Sequence, residues 1–235
     1  MRPEEIAALA ADGDRYHRVN HDGIGTIADP VLAQMKIVHS VSPITSVLEI
    51  GCTTGFRLHK AQQEFGARCS GLEASAAAVQ EGQEKYPDIE LKQGIAPADL
   101  GQWGGSTFDV VVVGHLLYLL PRSDLFALAA QVDSLLAEDG HLIIMDFVYH
   151  RNTVAPYAHE ESLSLYKGDP SGPWSWHPQY FLVHRDIYLL SQQVAGQQNP
   201  TQWQSVDVLR KFSIEQAYEN VAMSTFVQKG MPASE

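Results

Sequence analysis

Cysteine is scarce in this chain. Cys52 and Cys69 are the only two among 235 residues, too few for a disulfide framework. One lies in a glycine-bearing turn and the other in a strand-like run, so both are read as free thiols of a reducing compartment, and the cytoplasm is the expected location. Long apolar runs are absent too. None approaches the roughly 20 residues that cross a bilayer, so no membrane partner is expected. The start, Met1-Arg2-Pro3-Glu4-Glu5, lacks the basic-then-apolar order of a secretory signal. Basic charge is short: 16 Lys and Arg face 28 Asp and Glu, for a net charge of −12. A duplex-binding surface needs a basic stripe, and no run of Lys or Arg supplies one, so nucleic acid is not expected as a partner. Repeats and low-complexity tracts are also missing. Apolar residues make up 45% of the chain, enough for one α/β domain with additional segments.

The most informative stretch is Ser46-Val47-Leu48-Glu49-Ile50-Gly51-Cys52-Thr53-Thr54-Gly55-Phe56. An apolar run of strand length carries a carboxylate near its end, then turns through two glycines. A helical stretch follows from Phe56 to Phe65 and is stopped by Gly66. Strand, glycine turn and helix bring backbone close to a nucleotide-like ligand, because a Cβ in the turn would hold the ligand off. Ala67 to Glu73 reads as a second strand ending in an acid, placed to accept both hydroxyls of a ribose. Ser75 caps the helix that reaches Tyr86 and breaks before Pro87. Ile89 to Gly94 is a third strand, and Phe108 to Val113 a fourth, apolar enough to be covered on both faces. A helix capped by Ser123 or Asp124 presents Leu125, Leu128, Val132 and Leu135 on one side. Glu138-Asp139-Gly140 closes it, and His141 to Phe147 is a fifth strand.

Taken in order, Pro43 to Phe147 resembles the class I S-adenosylmethionine methyltransferases. Their first motif is written E/D-x-G-x-G-x-G; Glu49, Gly51 and Gly55 match it, and Thr53 stands at the middle glycine. Their fourth motif, F-D-x-V followed by an apolar stretch and Pro, matches Phe108 to Pro121. The Gly-Asp pair that often follows the third strand is Gly94-Ile95 here, so the adenine amino group loses a side-chain acceptor; Asp99 is the nearest downstream acid. The resemblance implies a three-layer, doubly wound α/β fold. Its seven-stranded, mostly parallel sheet would have an antiparallel edge strand and an aromatic insertion after the fifth strand. It further implies S-adenosylmethionine as cofactor, held by Glu49, Gly51, Cys52, Thr53, Gly55, Glu73, Ala74, Ile95, Ala96, Gly114 and His115.

Four regions are expected: N-terminal helices and lid over 1–42, the cofactor-binding core over 43–147, a cap over 148–202, and terminal strands with a tail over 203–235. Within the first, Pro3 to Ala11 and Asp29 to Ser40 read as helices, and Asp14 to Gly25 as a solvated loop carrying His17 and His21. The terminal strands are placed at Ser205 to Leu209 and within Ala217 to Val227. The stretch from Val148 to Val183, rich in Tyr, Trp and His, is either a roof over the acceptor or a cap packed by its own rings. Tyr16, Tyr157, Glu160, Trp174 and Trp176 are the candidate acceptor contacts. His115 is the core candidate for a base, against the alternative that it only shapes the pocket; His159 and His177 are the cap candidates. His150, His159, His177 and His184 have no regular ligand spacing, so no metal is expected. The reaction implied is in-line methyl transfer to an O or N nucleophile of a small molecule such as a sugar, a sugar nucleotide or a natural-product intermediate. A protein acceptor and a non-catalytic binding or scaffold role are the alternatives, and a second copy of the chain is admitted as a partner. A nicotinamide dehydrogenase would want G-x-G-x-x-G, and a P-loop protein Gly-Lys-Ser/Thr after the turn; neither is present.

Overall fold

Strand β1, Ser46–Ile50, is buried along its whole length and lies inside the sheet, which explains its continuous apolar character. The computed structural model describes residues 1–20, 29–157, 160, 162–189 and 203–218. Around β1 stand β2 (Arg68–Glu73), β3 (Glu90–Gln93), β4 (Phe108–Gly114) and β5 (Leu136–Phe147), followed by β8 (Tyr180–Leu189) and β9 (Trp203–Lys211). They form one seven-stranded sheet of order β3-β2-β1-β4-β5-β9-β8. The first five strands are parallel; β9 runs antiparallel to β5 and to β8.

Alternation along the strands sorts side chains between two cores. Val110 and Val112 pack with Val31 and Met35 of α2 (Pro30–Val41) and Leu58 of α3 (Phe56–Phe65). Val111 and Val113 pack with Leu128 and Val132 of α5 (Leu125–Leu135). The same alternation puts Glu49 on the α2 and α3 side, with Val47. Helix α4, Ala76–Lys85, lies against β3 and β2 and is capped by Ser75 Oγ, which accepts from Ala78 N at 3.0 Å. Gly82 lets α4 approach: a Cβ there would sit 2.4 Å from both Leu91 Cδ1 and the backbone oxygen of Thr54. Backbone cannot yield as a side chain can. Gly82→Ala is therefore expected to cost about 1–3 kcal/mol of stability. A melting temperature equal to wild type would show that α4 is not so closely seated.

Three expectations are corrected. Helix α1 spans Pro3–Asn20, so residues 14–20 are helical rather than loop. Its polar side is paired, not solvated: His17 Nε2 lies 3.0 Å from Glu81, and Ser75 Oγ donates to Asp14. His21 lies outside the described residues. Next, the partner of β9 is β8, in register from Tyr180↔Lys211 to Leu189↔Trp203, so part of the expected cap belongs to the sheet. Phe181, Val183 and Ile187 of this outer strand are exposed, and an outer strand with apolar residues facing outward reads like cap sequence. Ala217 ends a short helix, α7 (Ile214–Ala217), and residues 219–235 lie outside the described ones. Finally, β5 begins at Leu136. Its register with β4 jumps from Phe108↔Leu136 to Val110↔His141, and Asp139 in between takes φ +63°. The acid-acid-glycine run is thus an irregularity within the strand.

After β5 the chain forms a hairpin, β6 (Thr153–Pro156) with β7 (Ser164–Lys167), then a one-turn helix, α6 (Gly172–Ser175). Among the described residues, no helix is long and apolar enough to cross a membrane. Cys52 and Cys69 are both buried free thiols.

Candidate active site

The carboxyl ends of the parallel strands meet at one edge, where open α/β sheets bind ligands. Gly51 has φ +82°, and a Cβ on it would meet the carbonyl oxygen of Gly114 at 2.8 Å. This close approach joins the tips of β1 and β4. Thr53, at the position of the missing glycine, takes φ +50° and donates its N–H to Glu73 Oε2 at 2.9 Å. The other oxygen of Glu73 accepts from Ser75 N at 2.8 Å. Burial raises the Glu73 carboxyl, while the amides of Ser75, Thr53 and Ala74 draw it down. The result is a carboxylate fixed by backbone, with lone pairs left for ligand hydroxyls.

Glu49, 1% exposed, is bonded through Oε1 to the guanidinium of Arg57. Arg57 Nε donates to Asp29 Oδ2 at 2.7 Å, and the other oxygen of Asp29 caps α2 through Val31 N at 2.9 Å and Leu32 N at 3.0 Å. Burial pushes Glu49 up to about 7 against the pull of Arg57. At the tip of β3, Ile95 faces the cavity and its N–H goes to Asp99 Oδ2 at 2.7 Å. The nearest downstream acid is therefore used by the turn itself.

His115 follows β4 with φ +47° and donates its N–H to Met145 O at 2.7 Å. Its ring lies edge-on to Tyr118 and Phe147 at 6.4 and 6.0 Å. Burial, aided by the charge of Arg57, pushes it down to about 4, so the imidazole is neutral near pH 7. The loop carrying it is held by Asp146, which accepts from Leu117 N and Phe147 N at 2.7 Å each. Burial pushes Asp146 up to about 7 despite these amides.

These groups enclose a cavity of about 880 Å³, within the range of small-molecule sites. Its roof is α1, through Leu9, Asp12, Gly13, Tyr16 and His17, with the hairpin bonded to it from behind. The Tyr157 hydroxyl donates to Asp12 at 3.1 Å and accepts from Arg15 Nη2 at 2.9 Å. The hairpin is tied down by Tyr166 N, which donates to Tyr118 O at 2.8 Å.

Of the residues singled out from sequence, Glu49, Gly51, Cys52, Thr53, Glu73, Ala74, Ile95, Ala96, Gly114, His115 and Tyr16 line this cavity. Gly55 and Tyr157 sit one layer behind it, Gly55 as the left-handed cap of α3 and Tyr157 through Asp12. The Trp-rich turn does not reach it, because the segment after the hairpin folds down against α5. Trp174 is buried in the core beside α5, Trp176 is 78% exposed and lies against Phe126, and His177 packs edge-on to Tyr180. Glu160 is turned to its own loop, accepting from Ser162 Oγ at 2.8 Å. His159 lies outside the described residues. Asp12, Asp29, Arg57, Met145, Tyr188 and Gln204 line the cavity as well, and sequence reasoning missed them. Asp146 was legible in principle, since it is an acid at a strand tip like Glu49 and Glu73.

Residues 47–140 match the family described as methyltransferase domain. No curated protein matches the chain. Among solved structures, 1,6-didemethyltoxoflavin-N1-methyltransferase of Burkholderia thailandensis, with 1,6-didemethyltoxoflavin and S-adenosylhomocysteine bound, aligns with a TM-score of 0.66 at 16% identity. That alignment covers 90% of this chain and 91% of that one. The N-methyltransferase NodS of Bradyrhizobium japonicum WM9, in complex with S-adenosylhomocysteine, gives 0.59 at 17%, covering 86% and 98%. The DhpI–SAH complex gives 0.58 at 15%, covering 91% and 100%. At these identities the likeness is one of fold. The strand order with β9 reversed is the fold shared with these methyltransferases, and residues 47–140 of it match the methyltransferase domain.

Proposed function

We propose that the protein transfers the methyl group of S-adenosylmethionine to an oxygen or nitrogen of a small-molecule acceptor, with the cytoplasm as its compartment. One observation carries this reading: the cavity holds the backbone-fixed carboxylate of Glu73, the glycine turn and the neutral imidazole of His115 together under a roof. The residues fit the cofactor. Glu49 Oε2 is buried with no hydrogen-bond partner among the described residues, which suits an ammonium group, and Gly51 leaves open a turn whose backbone a ligand can approach. Glu73 would hold the ribose hydroxyls, the Gly51–Gly55 turn the methionine portion, and Ile95 with Ala96 one face of the adenine.

The chemistry S-adenosylmethionine supplies when bound is a methyl on a sulfonium, and the thioether left behind is neutral, so its departure needs no acid. The protein then has to align the acceptor's nucleophile and remove a proton. His115, neutral and at the tip of β4, would accept that proton on its imidazole nitrogen. Tyr16 from α1, with Tyr157 behind Asp12, would close the acceptor side against water. The roof favours a small acceptor over a folded protein, and the 1,6-didemethyltoxoflavin bound to the Burkholderia enzyme is a molecule of that size class. Titration calorimetry with S-adenosylhomocysteine is expected to show one site per chain, without competition from NADH. Absence of heat at millimolar ligand would overturn the proposal.

A further inference from the structure

The cavity continues past the tip of β5 and ends on β8 and β9. There, Tyr188 Oη and Gln204 Oε1 are buried and have no hydrogen-bond partner among the described residues, and both residues line the cavity. They are cross-strand neighbours, Tyr188↔Gln204, and Gln204 in turn pairs with Phe147 of β5, whose ring touches that of His115. Gln204 is 1% exposed. Buried amides and phenols are almost always bonded, and two orphans on one wall of a cavity point to a ligand that completes them. The charges lining the cavity narrow that ligand. Asp12, Asp29, Glu49 and Glu73 are acids, and Arg57 is the sole Arg or Lys among the described lining residues. Arg57 is already bonded to Glu49 and Asp29. No uncommitted Arg or Lys of the described lining is left to receive the doubly charged phosphate of an acceptor.

We infer that Tyr188 and Gln204 are the recognition wall for the methyl acceptor, and that this acceptor carries N–H or O–H groups but no phosphate. The inference rests on the methyltransferase reading, with the cofactor at the Gly51 turn and Glu73. It takes sugar nucleotides out of the expected range and leaves free sugars, amines and neutral heterocycles. The carboxamide accepts through oxygen and donates through nitrogen, and the phenol does both, so a vicinal diol or a ring N–H beside a carbonyl satisfies them together. Both residues act on binding, not on proton removal.

The test compares wild type, Tyr188→Phe and Gln204→Met. Melting without ligand is expected to rise by about 2–4 °C in each variant, as unpartnered polar atoms leave a buried site. The dissociation constant for S-adenosylhomocysteine should stay within about threefold. Release of S-adenosylhomocysteine from S-adenosylmethionine is then followed with two matched probe sets: neutral amines and polyols, and their phosphorylated counterparts. Neutral probes should be methylated, with KM raised about tenfold in each variant and kcat held; phosphorylated ones should not. A fall in melting temperature in both variants would show the atoms to be structurally satisfied and overturn the proposal. A tenfold loss of S-adenosylhomocysteine affinity would assign the wall to the cofactor instead and also overturn it. So would preference for phosphorylated probes, or cofactor binding with no neutral probe methylated. Failure of wild type to bind S-adenosylhomocysteine would instead sink the methyltransferase reading beneath it.

Discussion

His115→Ala should lower turnover by about a hundredfold or more, the lower range for loss of a general base, while cofactor affinity stays within about threefold. The reasoning runs from burial to protonation. Phe147 and Tyr118 crowd the imidazole, Arg57 adds its charge, and the ring is pushed down to about 4 from its ordinary 6.5. A base lowered in this way is already unprotonated across pH 6 to 9. Wild-type kcat should therefore show no inflection near 6.5, and the variant should lie below it by a constant factor. The depressed value makes His115 a weak base, suited to a proton that becomes acidic only as the nucleophile acquires the methyl group. A single alternative result decides against the assignment: equal turnover of wild type and His115→Ala at saturating substrates. His177 would not inherit the role, since it lies on the flank beside Tyr180.

Glu73→Ala is expected to weaken S-adenosylhomocysteine binding by about 1.5–3 kcal/mol, roughly 10- to 150-fold, the range for hydrogen bonds to a charged group. Sequence reasoning alone treats this carboxylate as a ligand group and expects little effect on the free protein. The structure adds a second consequence, because Glu73 accepts from Thr53 N and Ser75 N. Removing it leaves amides of the glycine turn and of the α4 entry unpaired, so ligand-free melting should fall as well. Glu73→Gln separates the two roles: its amide oxygen still accepts from one backbone N–H, so melting should recover in part while affinity does not. An unchanged dissociation constant for Glu73→Ala would remove Glu73 from the site.

The departures from the methyltransferase pattern show how local chemistry absorbs a substitution. Thr53 occupies a left-handed conformation that glycine takes without strain, and its N–H is held by Glu73. Ile95 cannot accept the hydrogen bond an Asp there would, and Asp99 is committed to Ile95 N. An adenine bound here would have to find the acceptor for its amino group on the backbone.

The alternation of strands and helices, the glycine turn, and the acids at the tips of β1 and β2 were legible in the sequence. Each rests on residues adjacent in the chain: apolar runs covered on both faces, a Ser cap, a glycine stop. What lay beyond reach depends on partners far apart in sequence. Helix α1 continues through Gly13 because it packs on the loop after β2, where a Cβ at Gly13 would come 3.2 Å from Ser75 N and 3.4 Å from Glu73 Oε1. Its next turn is fixed by His17 on Glu81, which no local signal predicts. Residues 180–189 join the sheet because β9 offers them an antiparallel edge, though their aromatic neighbours suggested a cap. The same long-range pairing sets Tyr188 beside Gln204 and carries Trp174 and Trp176 away to α5. Backbone propensity and burial pattern determined the elements and the strand tips at the glycine-turn end of the cavity; only tertiary pairing decided which distant side chains line its far end, because that choice is made by contacts between segments and not within them.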